Sequence, residues 1–368
     1  MDISIRSTSV LSTLGAIALG ILLLAENSKS FQREIYYEEK LAAATKTQQA
    51  MSFLKEQYFP NEIAIDNIND PNHTGLIGHQ FSPITSGRGS LPNKLSTTNP
   101  NFAAMIVQQI KEAGLKKGDR VGMCFTGSFP ALNIAACVAV ESLGLEPILI
   151  SSVTSSSWGA NDPMLTWLDM QHSLCDAGLI NFMPVAASIG GNQDLGRTLS
   201  KAGRQLALEA IDRNNIPRIN EGSLKANIQK RMALFDQYAK QPIQLFINVG
   251  GGIASLGGHQ NAQQLPSGLI PQYGLNRFVE KRGVMFEMAK MDTPVINLLK
   301  IHRLMSQYQL PRNPVPLPEV GEGPLFMAYK YNLSVVLGLT ALFFSLIATT
   351  LYYDAKQNKL GTQILKTN

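Results

Sequence analysis

Twenty-one successive residues without a charge, Leu333 to Tyr353, restrict this chain more than any other feature. As a helix they reach roughly 30 Å, the thickness of a bilayer's hydrocarbon core. Tyr329 and Tyr331 precede the run, and Tyr352 and Tyr353 close it. Aromatic residues at both edges suit membrane interfaces. A buried soluble helix of this length would carry polar positions at helical spacing. Here only Ser334, Thr340, Ser345, Thr349 and Thr350 are polar. Residues 331–353 therefore read as a transmembrane helix.

A second uncharged run, Ser7 to Ala25, follows Arg6 and reads as a transmembrane helix over 7–25. A cleavable signal peptide is the alternative. Leu23 argues against it, because a cut after Ala25 wants a small residue at that position. Two spans place both termini on one side. The tail 354–368 carries Lys356, Lys359 and Lys366 against Asp354 alone, and short basic tails stay cytoplasmic. The intervening domain is therefore expected to be extracytoplasmic, in a periplasm or at the cell exterior. The net charge of +5 forms no long basic block, so nucleic-acid binding has no support. Cys124, Cys137 and Cys175 are an odd set, better read as free thiols than as a disulfide framework.

Between the anchors, residues 26–60 read as a helix leaving the membrane, with Phe31 to Tyr58 free of Gly and Pro. Residues 61–100 are crowded with Asn, Asp, Pro, Gly, Ser and Thr and read as irregular connector. His73 and His79 lie there as solvated loop residues, and no metal or cofactor site is implied. Strand and helix patterns then alternate over 101–310. Strands are expected near Arg120–Phe125, Pro147–Ser152, Leu179–Ala187, Ile243–Val249 and Val295–Leu299. Helices are expected at Asn101–Ala113, Pro130–Leu143, Pro163–Cys175, Leu195–Arg213 and Gly222–Lys240. This predicts an α/β fold, doubly wound and Rossmann-like, with about five mostly parallel strands. Five prolines between Pro311 and Pro324 make 311–330 a semi-rigid strap.

Ligands of such sheets bind beyond the carboxyl ends of the strands. Four Gly/Ser clusters fall there. Thr126-Gly127-Ser128 precedes Pro130, which suits a first helical turn. Ser157 and Asn161 follow the next strand. Gly190, Gly191, Asp194 and Arg197 follow the third, and Asn248, Gly250, Gly251 and Gly252 the fourth. Each cluster alone is ordinary turn chemistry, but four in register suggest a crevice suited to an anion or carboxylate. No GxxxxGK[ST] loop is present, and GxGxxG fails around Gly250. Ser128 lacks GxSxG spacing. A nucleophilic Ser128 served by His259, with Asp162 or Asp169 behind it, is the catalytic option. Helix capping by Ser128 is the plainer one.

The strings Thr126 to Asn133, Ser157 to Asn161, Thr166 to Met170, Gly190 to Arg197 and Asn248 to Gly252, with the strap ending Gly321-Glu322-Gly323-Pro324, together resemble the bacterial poly-γ-glutamate system protein family. The resemblance spans roughly residues 100 to 330 and the two-anchor layout. It implies a bacterial inner-membrane component of poly-γ-glutamate synthesis or export, working beside other membrane proteins of that system. It carries no catalytic residue over. The alternative is an extracytoplasmic hydrolase or transferase acting on γ-glutamyl polymer or cell-wall peptide.

Overall fold

The computed structural model describes residues 7–275 and 283–367. The chain divides into two compact units, 35–326 and the paired terminal segments 1–34 with 327–368.

The larger unit is a mixed α/β unit around a six-stranded sheet. Its strands are β1 (Arg120–Thr126), β2 (Glu146–Ser152), β3 (Ala186–Ser188), β4 (Leu245–Val249), β5 (Gly268–Ile270) and β6 (Val295–Leu298), in the order β5-β6-β4-β1-β2-β3. Arg120 pairs with Glu146 and Thr126 with Ser152 in a continuous parallel register. Val121 to Phe125 run parallel to Leu245 to Val249 on the other side. Only β5 is antiparallel. Strand order reverses between β1 and β4, leaving a gap above their carboxyl ends.

Parallel sheets need cover on both faces, and this sheet has it. On one face Cys124, Ile148, Ile150, Phe246 and Val295 share a cluster with Phe235, Met285, Phe286 and Met288. On the other, Met123, Phe125, Leu149, Ile247 and Ile296 are also buried. Phe125 there meets the buried Trp167 edge-on, ring centroids 6.3 Å apart. Helix α1 (Pro130–Ser142) is buried from Pro130 to Val140 and packs with α2 (Tyr37–Tyr58) and α3 (Phe102–Glu112). Its small residues, Ala131, Ala135, Ala136 and Ala139, let these neighbours approach.

Several expectations need correction. Residues 31–58 are not one helix: Ser30–Arg33 is a strand, and the helix begins only at Tyr37, after Tyr36 in a left-handed conformation. The connector 61–100 is not wholly irregular: it holds a short strand, Thr85–Gly87, and a seven-residue helix, Leu91–Thr97. The strand expected from Leu179 shrinks to Ala186–Ser188, since Pro184 has no N–H for a ladder. The helix expected from Leu195 starts at Lys201, after Gly196 at φ +59°.

In the terminal unit, helices Thr8–Asn27 and Leu333–Gln357 are long and apolar enough to cross a membrane, and neither is buried. The second continues as helix to Thr367, past the end expected at Tyr353. Ser30–Arg33 pairs antiparallel with Met327–Lys330, which ties the neighbouring ends of the two helices. Phe31 and Tyr329 face each other across this ladder, centroids 5.1 Å apart, and both are exposed. Lys29 bonds Glu26 at 2.6 Å and sits over the Tyr331 ring.

Candidate functional site

A cleft of about 460 Å³ opens beyond the carboxyl ends of the strands. Every parallel strand feeds it. Thr126 ends β1 and Ser128 follows it; Thr154 and Ser156 come after β2, Gly191 and Asn192 after β3, Gly251 and Gly252 after β4, and Leu299 after β6. Its remaining wall is the connector, Ser86 to Ser90 and Lys94. Of the predicted binding residues, Thr126, Ser128, Gly191, Gly251 and Gly252 line it.

The others, Arg197 excepted, hold its walls. Gly127 accepts the Ala160 amide through its carbonyl at 2.8 Å. Gly159 packs so close that a Cβ there would lie 2.7 Å from the carbonyl oxygens of Gly127 and Ser128. Asn161 is buried and cross-links the connector: its Oδ1 accepts the His79 amide, and its Nδ2 donates to His79 O and Thr85 Oγ1. Ser157 donates its amide to Gly87 O at 2.9 Å. Gly190 and Gly250 both adopt positive φ, and a Cβ at Gly250 would collide with Thr126 Oγ1. Asn248 bridges Gly250 O and Asn297 Oδ1. Asp194, expected as a ligand contact, is instead buried in an ion pair with Arg231, 2.6 Å away, and accepts from Ser188 and Asn227. That knot, both side chains 2% exposed, pins the loop after β3 to the helix Leu224–Ala239. Arg197 is exposed and does not line the cleft.

Ser128 lines the cleft, and its Oγ accepts the Ser156 amide at 3.1 Å. Asp169 belongs to another cluster: it completes a capping box with Thr166 and is gripped by Arg213 and Asn214. Burial opposes its ionisation, but hydrogen bonds from Arg213, Thr166 and Asn214 win and hold its pKa below the usual carboxylate range. His259 begins a short helix, and its side chain lies outside the described residues.

Lys94 is the cleft residue that the pattern of strand ends does not announce. It sits in the helix Leu91–Thr97, lines the cleft, and is only 2% exposed. Its ammonium donates to Ser128 O and, at 2.9 Å, to Ser156 Oγ. The Phe129 ring lies 3.9 Å away. No salt bridge joins Lys94 to an acid among the described residues. Burial pushes its pKa down to about 7. Its helix is fastened to the strap, where Ser96 Oγ accepts the Asn313 amide at 2.9 Å. Asn101, just past that helix, bonds Glu319 O and Gly321 N. Ser90-Leu91-Pro92 is a helix-start signal that flags this segment. The surrounding Gly, Ser and Pro mask it.

The cleft's electrostatics are one-sided. Among the described residues it is lined by Arg88, Lys94 and a ring of hydroxyls from Ser86, Ser90, Thr126, Ser128, Thr154, Ser156 and Thr198, with no Asp or Glu. Burial raises the Cys124 thiol to about 12 and also pushes the Cys137 thiol well up, so neither provides a thiolate nucleophile.

No family model matches this sequence, and no curated protein matches it. Among solved structures, an O-ureido-L-serine synthase aligns over 57% of this chain and 51% of its own, at 16% identity and a TM-score of 0.17. That likeness is too slight to bear on fold or function, and the alignment spans about half of that enzyme's length.

Proposed function

We propose that this chain is a two-pass protein of the bacterial inner membrane that serves a poly-γ-glutamate synthesis or export system. Its larger unit, a doubly wound Rossmann-like domain outside the cytoplasm, binds the carboxylates of the anionic polymer in the cleft. One observation carries this reading. The cleft presents two basic side chains, Arg88 and Lys94, and seven hydroxyl side chains with no acid among its described lining residues. A desolvated lysine without an internal counter-ion favours a ligand that brings one. The membrane part draws on the two apolar helices and on the exposed aromatic pair Phe31 and Tyr329 near their tied ends. The resemblance to the poly-γ-glutamate family supplies the polymer. Other membrane proteins of that system are the partners this reading implies.

The alternative, a hydrolase or transferase built on Ser128, requires a base and an orienting acid. Asp169 is engaged by Arg213 and does not line the cleft. The test is genetic. Deleting the gene lowers surface polymer, and a copy carrying Arg88→Ser with Lys94→Gln does not restore it. Unchanged polymer amount and length in the deletion strain overturns the proposal.

A further inference from the structure

Lys94 has a geometry that plain anion binding does not require. A lysine that only neutralises a ligand is best left solvated and fully charged. Lys94 is instead buried among backbone and hydroxyl acceptors, with no carboxylate to keep its proton. An uncharged amine has two N–H donors and one lone pair. Ser128 O and Ser156 Oγ take the two donors, which leaves the lone pair uncommitted, and Lys94 lines the cleft. The Phe129 ring and the Ser128 and Ser156 oxygens favour the charged form, and burial opposes it; Arg88 is the other charged side chain lining the cleft among the described residues.

We propose that Lys94 is a nucleophilic amine that condenses with an aldehyde or ketone bearing a carboxylate, forming an imine in the cleft. Desolvated lysines with depressed pKa are the usual Schiff-base nucleophiles. The Lys94 nitrogen adds its lone pair to the carbonyl carbon, and the carbonyl π pair moves to oxygen, which takes a proton. The resulting carbinolamine loses that oxygen as water, and the nitrogen gives up its second proton as C=N forms. The sum is amine plus carbonyl giving imine plus water, with no oxidant or reductant. Ser156 Oγ, 2.9 Å from the nitrogen, is placed to relay the proton. Arg88 and the cleft hydroxyls receive the carboxylate. The inference rests on the anion-binding reading of the cleft for that last contact.

The test uses the full chain in detergent micelles with glyoxylate, the smallest aldehyde that carries a carboxylate. Borohydride traps any imine, and peptide mass spectrometry maps the modified lysines. At pH 7 Lys94 should label on the order of a hundredfold faster than exposed lysines, because most exposed amines are protonated there. Its labelling should rise with a midpoint near pH 7, and the modification should vanish in Lys94→Arg. Uniform labelling of all lysines, or unlabelled Lys94 in the folded wild-type chain, overturns the imine. Binding of a γ-linked glutamate oligomer is measured in parallel. Retained oligomer binding without Lys94 labelling sinks the imine and spares the anion-binding reading. Loss of both sinks both, and labelling without oligomer binding upholds the imine but removes the polymer.

Discussion

Lys94 shows how a single side chain acquires character from its surroundings. Its sequence neighbours, Pro92, Asn93 and Ser96, say nothing unusual about it. Burial alone lowers its pKa to about 7, against about 10.4 for a free lysine. Between those values the unfolded chain holds a proton that the folded chain has released. Stability therefore rises with pH across roughly pH 7 to 10, at a limiting slope of about 1.4 kcal/mol per pH unit. Below pH 7 both states are protonated and the full cost of burying the charge is felt. Urea unfolding at pH 7, 8 and 9 should show this rise in the wild type and lose it in Lys94→Met. Parallel stability curves for the two proteins would refute the assignment. Asp194 teaches the converse lesson. Its position after a strand end suggests ligand contact, yet its carboxylate is spent on Arg231, Asn227 and Ser188.

The loops that frame the cleft work as packed backbone rather than as flexible ligand grips. Gly159 sits where the segments after β1 and β2 cross, and a Cβ there would collide with Ser155 Oγ and fall 2.7 Å from two carbonyl oxygens. Carbonyls of fixed backbone cannot swing aside as a side chain can. Gly159→Ala is expected to cost about 1–3 kcal/mol through overpacking. If the cleft binds γ-glutamyl oligomer as proposed, the substitution should also weaken that binding by displacing Ser128 and Ser156. Unfolding free energy and calorimetric titration on the same preparation check both effects, and a variant as stable as wild type would contradict this account. The strands and helices of the sheet are mostly readable in the sequence, because a run such as Arg120 to Thr126 is apolar on both faces. The helix Leu91–Thr97 is not, since seven residues hold too little periodicity to stand out. It is held by the strap through Ser96 and Asn313, residues more than two hundred positions apart.

For the molecule as a whole, the two apolar helices and the ladder between Ser30–Arg33 and Met327–Lys330 send both termini the same way. If they span the inner membrane as proposed, a reporter active only in the cytoplasm should be active when fused after Lys366. The same reporter inserted in the exposed segment at Ile63 should be silent. The reverse pattern would invert the proposed topology. The apolar helices and the alternation of strand and helix are properties of local sequence. They follow from composition and period, which act on neighbours along the chain. The cleft is different. Its clusters after four strands are visible one by one, but their convergence depends on the strand order reversing between β1 and β4. Its cation depends on a connector folding back over 126–128 and 155–156, and only burial by those distant segments makes Lys94 chemically unusual. Desolvation and close backbone approach arise from contacts between segments far apart in the chain, so tertiary structure alone decided them.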